Sequence, residues 1–140
     1  MNYLITKIMK KQLLYIIISF ALVSFIGIST QEDRWKAPTK AKELKNPVKT
    51  SEKAESVKRG AKIFKTRCMI CHGTQGKGDG IGGKALTPKP QNLTLKMVQS
   101  QTDGELFWKI TNGRNDMIKW GPILSEQQRW DVVNYVRKLK

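Results

Sequence analysis

The five residues Cys68-Met69-Ile70-Cys71-His72 constrain this chain more than any other feature of its sequence. Two thiols three positions apart can each add to a vinyl group of one haem, while the next residue offers an imidazole to the iron. A chain of this kind folds around a cofactor that it holds by covalent bonds. We therefore predict one covalent haem c, attached through Cys68 and Cys71, with His72 as the first axial ligand.

Two alternative interpretations of this motif, a zinc site and a redox dithiol, fit the sequence less well. His72 is the only histidine among 140 residues, which excludes a haem held by two imidazoles. Structural zinc sites take four ligands, and beyond Cys68, Cys71 and His72 the fourth would have to be a carboxylate. A redox dithiol of the thioredoxin type normally follows a strand, whereas the residues before Cys68 have a helical period. Zinc and the dithiol remain minority alternatives.

The second axial ligand is sought among the five methionines of the chain. Met1 and Met9 lie in the N-terminal segment, and Met69 lies between the two cysteines, which leaves Met97 and Met117. We favour Met117 because it follows an irregular segment between two predicted helices, whereas Met97 lies in a short predicted helix with a core role. An open distal face is the remaining alternative.

A thioether ligand raises the reduction potential of haem iron and leaves little room for a small ligand. Such a site moves electrons, and we expect neither a small-molecule substrate nor a catalytic acid, base or nucleophile.

Residues 1–30 form a separate segment, which we interpret as a signal peptide or a membrane anchor. Lys7, Lys10 and Lys11 precede an apolar run from residue 13 to 28. As a helix this run would extend about 24 Å, somewhat less than the roughly 30 Å of a bilayer core, so both alternatives stay open. An anchor would give membrane association through residues 4–30. The lysines on its N-terminal side predict export to the bacterial periplasm or the outer face of the cytoplasmic membrane.

The exported part divides by composition into a polar segment, 31–50, and a domain, 51–140. The first contains Pro38 and Pro47 and is interpreted as a linker or arm, with a mobile linker favoured over docking through Trp35 and Leu44. The second is long enough for one small domain, whose thin core a large apolar cofactor would enlarge.

Three helices are predicted in the domain, and no segment has a convincing strand period. The first runs from Ser51 or Ser56 to about Thr66. The second has a capping box of Thr102 and Glu105 and stops at Gly113. The third has a capping box of Ser125 and Gln128 and continues to the C-terminus. A glycine-rich loop, 73–90, follows the cysteine motif, and the predicted fold class is all-α.

These features together resemble a class I monohaem cytochrome c of the bacterial type. The residues that carry the resemblance are Gly60 and Phe64, the motif and its glycine loop, Asp103-Gly104-Glu105-Leu106, Gly113 with Met117, and 130–139. The resemblance covers most of 51–140, which would be the cytochrome c domain, and none of the preceding segments.

The resemblance implies a cytochrome c fold in which the N- and C-terminal helices cross around a covalent haem. Gly60 would allow their close approach, and Phe64 would pack on Tyr135. His72 and Met117 would be the axial ligands. The carbonyl of Pro88 or Pro90 would accept the proton of the His72 ring. Relatives often have proline after the axial methionine, where this chain has Ile118.

The formal net charge of +15 suits docking to acidic redox proteins. We therefore predict a carrier that shuttles single electrons between envelope redox complexes. The alternative is a fixed haem subunit of a larger membrane or periplasmic oxidoreductase. A haem-based sensor would need an open distal face, and nucleic-acid binding is opposed by export and by the haem motif.

Overall fold

The computed structural model describes residues 35–139. The predicted leader, 1–30, and the membrane association expected through 4–30 lie outside the described residues. From Lys36 onward the chain forms one compact unit, so part of the predicted linker belongs to it. The division of the chain at residues 30 and 50 stays a prediction. None of the helices between Trp35 and Leu139 has both the length and the apolar character needed to cross a bilayer.

Helices account for all the regular structure in residues 35–139, where the only β-type pairing is an isolated bridge between Arg114 and Met117. The all-α prediction is confirmed. The α-helices are α1 (Thr39–Glu43), α2 (Lys53–Ile63), α3 (Met69–His72), α4 (Lys96–Gln99), α5 (Asp103–Asn112) and α6 (Glu126–Val136). Two 3-10 turns, Thr50–Glu52 and Ile81–Gly83, and one π-helical turn, Phe64–Cys68, complete the set.

The sequence predicts that the helix before the cysteine motif ends near Thr66. In the structure this helix continues past Thr66. After Ile63 it widens into the π-helical turn Phe64–Cys68 and then continues as α3. The Thr66 hydroxyl donates back to the carbonyls of Lys62 and Ile63, both at 3.1 Å. Single π turns of this kind are often found at functional sites. The consequence here is that helical backbone reaches both cysteines and the histidine.

Both predicted capping boxes are present. In α5 the Thr102 hydroxyl accepts from the Glu105 amide at 3.2 Å, and the Glu105 carboxylate accepts from the Thr102 amide at 2.7 Å. Ser125 and Gln128 make the equivalent pair in α6. These bonds satisfy N–H groups that have no partner within a helix.

The last helix ends earlier than predicted, at Val136 instead of at the C-terminus. Beyond it the amides of Lys138 and Leu139 bond three residues back, which tightens the final turn. At this end the Arg137 side chain donates to the carbonyls of Gln99 and Gln101 and to the Asp103 carboxylate.

The first and last long helices, α2 and α6, cross at Gly60, as the resemblance implies. A Cβ at this glycine would lie 2.0 Å from the carbonyl oxygen of Asp131, so the two backbones touch. One helical turn later the rings of Phe64 and Tyr135 pack with centroids 5.1 Å apart. The core lies behind this crossing and consists of Phe64, Val98, Leu106, Phe107, Trp130, Val132, Val133, Val136 and Leu139.

The segment before α2 is packed on the domain. Ala41 of α1 is 2 % exposed and lies against Gly104, where a Cβ would come within 2.0 Å of the Ala41 carbonyl oxygen. The side-chain amide of Asn46 donates to the Asp103 carboxylate at 2.8 Å and to the side-chain oxygen Oδ1 of Asn134 at 2.7 Å. The favoured interpretation of 31–50 as a mobile linker therefore does not hold for residues 36–50. Leu44, one of the two residues considered for docking, does lie against Gly104, where a Cβ would come within 2.8 Å of the Leu44 Cβ, and Val48 packs partly on the core.

Candidate functional site

The cysteine motif lies at the end of one continuous helical stretch. Cys68 ends the π-helical turn, and Cys71 and His72 belong to α3, which terminates at Gly73. Gly73 has a φ of 79°, which a residue with a side chain rarely adopts, and its amide donates to the Met69 carbonyl at 2.8 Å. The helix thus brings both sulfurs and the imidazole to one end of the domain.

The two cysteines are free and half-buried. Burial, with a smaller contribution from Cys71, raises the pKa of the Cys68 thiol to about 12. A cysteine that attacks disulfides needs a lowered pKa, because the thiolate is the reactive form. The environment of Cys68 therefore argues against the redox-dithiol alternative.

The ring of His72 is held in one orientation by the backbone of the next loop. Its Nδ1 lies 3.2 Å from the carbonyl oxygen of Gln91. A carbonyl can only accept, so Nδ1 carries the proton and Nε2 keeps a free lone pair. Burial lowers the pKa of His72, although the bond to Gln91 acts in the opposite direction. A neutral imidazole with one nitrogen tied and the other free is the form that binds a metal.

The acceptor of this bond differs from the expected one, which was the carbonyl of Pro88 or Pro90. The Pro90 carbonyl faces Gly78 instead, where a Cβ would lie 2.2 Å from its oxygen. Gln91, one residue later, presents its carbonyl to His72. No side-chain pattern could have indicated this residue, because the contact is made by its backbone.

The glycine-rich loop folds back on the motif that it follows. The Gly78 amide donates to the His72 carbonyl at 2.8 Å, and the Gly80 amide donates to the Cys71 carbonyl at 3.1 Å. Gly80 lies so close to Ile70 and Cys71 that a Cβ there would be 2.4 Å from the Ile70 carbonyl oxygen. The loop therefore packs tightly against the C-terminal end of the helix.

The two candidate methionines lie in different surroundings. Met117 is half-buried in the segment after α5, where it exchanges backbone hydrogen bonds with Arg114 at 3.1 and 2.9 Å. Asn115, with a φ of 51°, makes the turn between them. Met97 packs partly against the core, and its sulfur accepts from the Gln91 side-chain amide at 3.8 Å. Cys68, Cys71 and His72 share one helical stretch, whereas Met117 comes from a separate segment.

Residues 35–139 contain no group of three His, Cys, Asp or Glu side chains arranged to hold a metal ion. This gives the zinc alternative no support in that part of the chain.

An apolar cofactor fits the exposed hydrophobic side chains. Six large ones are exposed in the described residues, and five of these lie in the motif, its loop or the segments near Met97 and Met117. These five are Ile70, Ile81, Leu95, Ile118 and Ile123. Exposed apolar side chains near the motif are groups that a bound apolar cofactor would cover. Two free thiols, one available imidazole nitrogen and these apolar groups match the needs of a covalent haem.

Comparison with known proteins agrees with this site. The sequence profile of the Cytochrome c family matches residues 57–140. A cytochrome c6-like protein of a Nostoc species is 33% identical over 86 residues, which are 59% of this chain and 70% of that protein. The FixP subunit of the cbb3-type cytochrome c oxidase of Azorhizobium caulinodans is 36% identical over 86 residues, 60% of this chain.

A solved structure, a chain of the reducing HAO-like protein complex of Kuenenia stuttgartiensis, superimposes with a TM-score of 0.57 at 25% identity and covers 69% of this chain. The chain spans only 27% of the FixP subunit and 49% of the Kuenenia chain.

The chain belongs to the cytochrome c family. Its cofactor is covalently bound haem c, and the cytochrome c domain implies haem-based electron transfer. The resemblance to cytochrome c, which was drawn from the haem motif and the residues around it, is thereby confirmed.

Proposed function

We propose that this protein carries single electrons in the bacterial envelope through one haem attached to Cys68 and Cys71. The bound haem supplies an iron that changes by one electron between the ferric and ferrous states. The observation that carries the proposal is the hydrogen bond from His72 Nδ1 to the Gln91 carbonyl, which leaves Nε2 free as the proximal ligand. It fixes the ring orientation and increases the basicity of the ligating nitrogen.

Met117 is proposed as the distal ligand. The Met97 sulfur accepts from the side chain of Gln91, the same residue whose carbonyl accepts from His72, and Met97 packs partly against the core. A distal ligand would have to reach the haem from the face opposite His72, and these contacts of Met97 favour Met117 for that position. Met117 is half-buried on a turn that is tied to α5 through the Trp120 and Gly121 amides. With thioether and imidazole on opposite faces, the site has no free position for a substrate, and no catalytic residue is proposed.

Acidic redox proteins are the proposed partners, and they would dock at the end of the domain that carries the motif. Lys65, Lys77 and Lys84 lie in the π-helical turn and the glycine loop, and all three are exposed. Charges of this kind steer an acidic protein toward the cofactor and increase the association rate. They are screened beyond a Debye length of about 8 Å at physiological salt.

The carrier proposal is tested with haem-loaded protein and an acidic redox protein as electron acceptor. We expect the pigment to stay on the polypeptide in acid acetone, and the transfer rate to fall steeply as salt is added. Replacing Lys65, Lys77 and Lys84 together by Gln should slow transfer at least about tenfold at low salt. The matched control replaces Lys40, Lys42 and Lys45, far from the motif, and should leave the rate unchanged. Extractable pigment, or rapid carbon monoxide binding by the reduced protein, would contradict the proposal.

A second candidate is a fixed haem subunit of a larger oxidoreductase. Two of the similar proteins are a subunit of an oxidase and a chain of a multiprotein complex, and this chain spans only part of each. Purification from native membranes separates the two candidates, because a companion protein in constant stoichiometry would favour the subunit.

For localisation we propose the periplasm or the outer face of the cytoplasmic membrane, with residues 1–30 as a signal peptide or an anchor. The N-terminal mass of the mature protein distinguishes these two. A mature N-terminus near residue 30 would show cleavage, and an intact Met1 would show an anchor.

A further inference from the structure

The segment from Lys36 to Lys49, here called the basic arm, has a strongly charged surface. Glu43 is its only acidic residue. Its five lysines are all exposed, and none of them forms an ion pair within residues 35–139. They are Lys36, Lys40, Lys42, Lys45 and Lys49.

The domain holds the basic arm in place. Ala41 packs on Gly104, and Asn46 donates to both Asp103 and Asn134. Because the backbone is held at both points, the five exposed lysines stay on the surface of the domain.

The Asn46 anchor of the arm lies near the start of α2, and the haem motif follows the end of α2. Asp103, which bonds to Asn46, lies 4.0 Å from the Lys53 ammonium at the first residue of α2. Cys68 is fifteen residues farther along the same helical stretch, about 20 Å at roughly 1.5 Å per residue. A partner that binds the basic arm therefore does not compete with one that docks at the haem.

We propose that the basic arm binds an anionic lipid surface and turns the haem motif away from the membrane. The arm favours lipid over protein because its cations are all lysine and it contains no arginine or aromatic residue, whereas the haem end exposes Arg67, Ile70 and Ile81 beside its lysines. Protein interfaces are depleted in lysine and enriched in arginine and aromatic residues. Lysine is a point charge on a flexible stem, which suits diffuse attraction to lipid phosphates. The arm also lies outside residues 57–140 that match the family, and the proposal does not depend on electron transfer.

The test measures which lysines a membrane covers. Mature haem-loaded protein is mixed with vesicles of equal parts phosphatidylcholine and phosphatidylglycerol, and amines are acetylated with a membrane-impermeant reagent. Mass spectrometry then gives the rate at each lysine. We expect the five arm lysines to react about fivefold more slowly than with pure phosphatidylcholine vesicles. Lys65, Lys77 and Lys84 should react equally in both. This comparison isolates the arm whether or not the leader is retained, because both vesicle types accept an apolar segment.

Two triple variants distinguish the arm from net charge. With Lys40, Lys42 and Lys45 changed to Gln, the protection of Lys36 and Lys49 should disappear. Changing Lys65, Lys77 and Lys84 to Gln removes the same amount of charge, and the protection of Lys36 and Lys49 should then persist. About 0.5 M salt should abolish protection in the wild-type protein, because the Debye length falls to roughly 4 Å.

Three results would overturn the proposal. They are equal rates on the two vesicle types, equal loss of protection in both triple variants, and arm protection by soluble polyglutamate with none by vesicles. The last result would assign the arm to an acidic protein partner. Each of these three results would leave the electron-transfer proposal intact, because that proposal depends on the haem end of the domain.

Discussion

Gly60 and Asp131 touch through their backbones, since a Cβ on Gly60 would lie 2.0 Å from the Asp131 carbonyl oxygen. The same Cβ would lie 3.0 Å from the Cβ of Tyr135. The crossing of α2 and α6 is therefore as close as two helices can come at this point. Because α2 continues into the cysteine motif, the distance between these helices also sets where the motif lies on the core.

Changing Gly60 to Ala should destabilise the protein, although alanine is the better helix former. Propensity alone would favour the variant by about 1 kcal/mol. Forcing the helices apart should cost more, and we expect a net loss of roughly 2 kcal/mol in the free energy of unfolding. Denaturant titration of the haem-loaded protein measures this. Ala54→Gly, at an exposed position of the same helix, is the control and should lose about 1 kcal/mol from propensity alone. A stabilised Gly60→Ala variant would show that the crossing is looser than described.

The Asp131 carboxylate should make stability depend on pH in the acid range. It is buried and accepts from Ser56 at 2.6 Å, from Gln127 at 3.0 Å and from Arg59 at 2.8 and 2.9 Å. Burial alone would raise the pKa of Asp131, but these hydrogen bonds outweigh it and hold the pKa below its ordinary 3.8. Its contribution is therefore complete above the unfolded pKa and disappears as the pH falls through the lower folded pKa.

We expect Asp131→Asn to lose roughly 2 kcal/mol near pH 7, because it removes hydrogen bonds to a charged group. The difference in stability between the variant and the wild type should shrink as the pH falls below 3.8. The Asp131 carboxylate of the wild type then becomes protonated, first in the unfolded and then in the folded protein. Asp116→Asn removes the same charge at an exposed site and should show almost no difference at any pH. Urea titrations across the pH range measure both variants. A difference that stays constant into strong acid would refute the ionic role.

Met117→Ala should remove the weak sulfur-to-iron absorption band of the ferric protein. The reduction potential should fall by about 0.2 V, well within the roughly 0.8 V that axial ligands control. Met97→Ala is the matched control, and it should keep the band and lose about 1–2 kcal/mol of packing. Spectra and potentiometry of the two variants measure these changes. Loss of the band in Met97→Ala alone would reverse the assignment.

Gly78→Ala should loosen the hydrogen bond that orients His72. Gly78 has a φ of 79°, and a Cβ there would lie 2.2 Å from the Pro90 carbonyl oxygen, next to Gln91. The positive φ costs about 1–2 kcal/mol with a side chain, and the contact should displace the loop. A weaker bond makes the imidazole less basic, so the reduction potential should rise and the Nδ1 proton resonance should shift. Thr74→Ala, exposed in the same loop, should leave both unchanged.

Local sequence determined the helices at their starts. The capping boxes at Thr102 and Ser125 satisfy N–H groups through residues three positions apart, so tertiary contacts are not needed to locate them. Helix ends were harder to predict. No local signal indicated the π-helical turn before Cys68, and α6 ends at Val136, just before Arg137, which bonds to Gln99 and Asp103 far away in sequence.

The polar contact between the crossing helices was also hidden in the sequence. Val57, Ala61, Phe64 and Cys68 recur at helical spacing along α2 and the turn after it, yet the most buried positions of α2 are Ser56 and Gly60. Ser56 donates to Asp131 and accepts from Asn134, 75 and 78 residues away. A buried serine, aspartate and asparagine are stable only when they bond to one another, and no local pattern identifies such partners.

The spacing of Cys68, Cys71 and His72 was enough by itself to predict the haem and its first ligand. Covalent chemistry requires those atoms in one turn of chain, and neighbours in sequence are neighbours in space. The acceptor for the His72 ring and the packed position of the basic arm were decided only by the tertiary structure. His72 bonds to a backbone carbonyl 19 residues away and Asn46 bonds to residues 57 and 88 positions away, and such contacts exist only after the chain has packed.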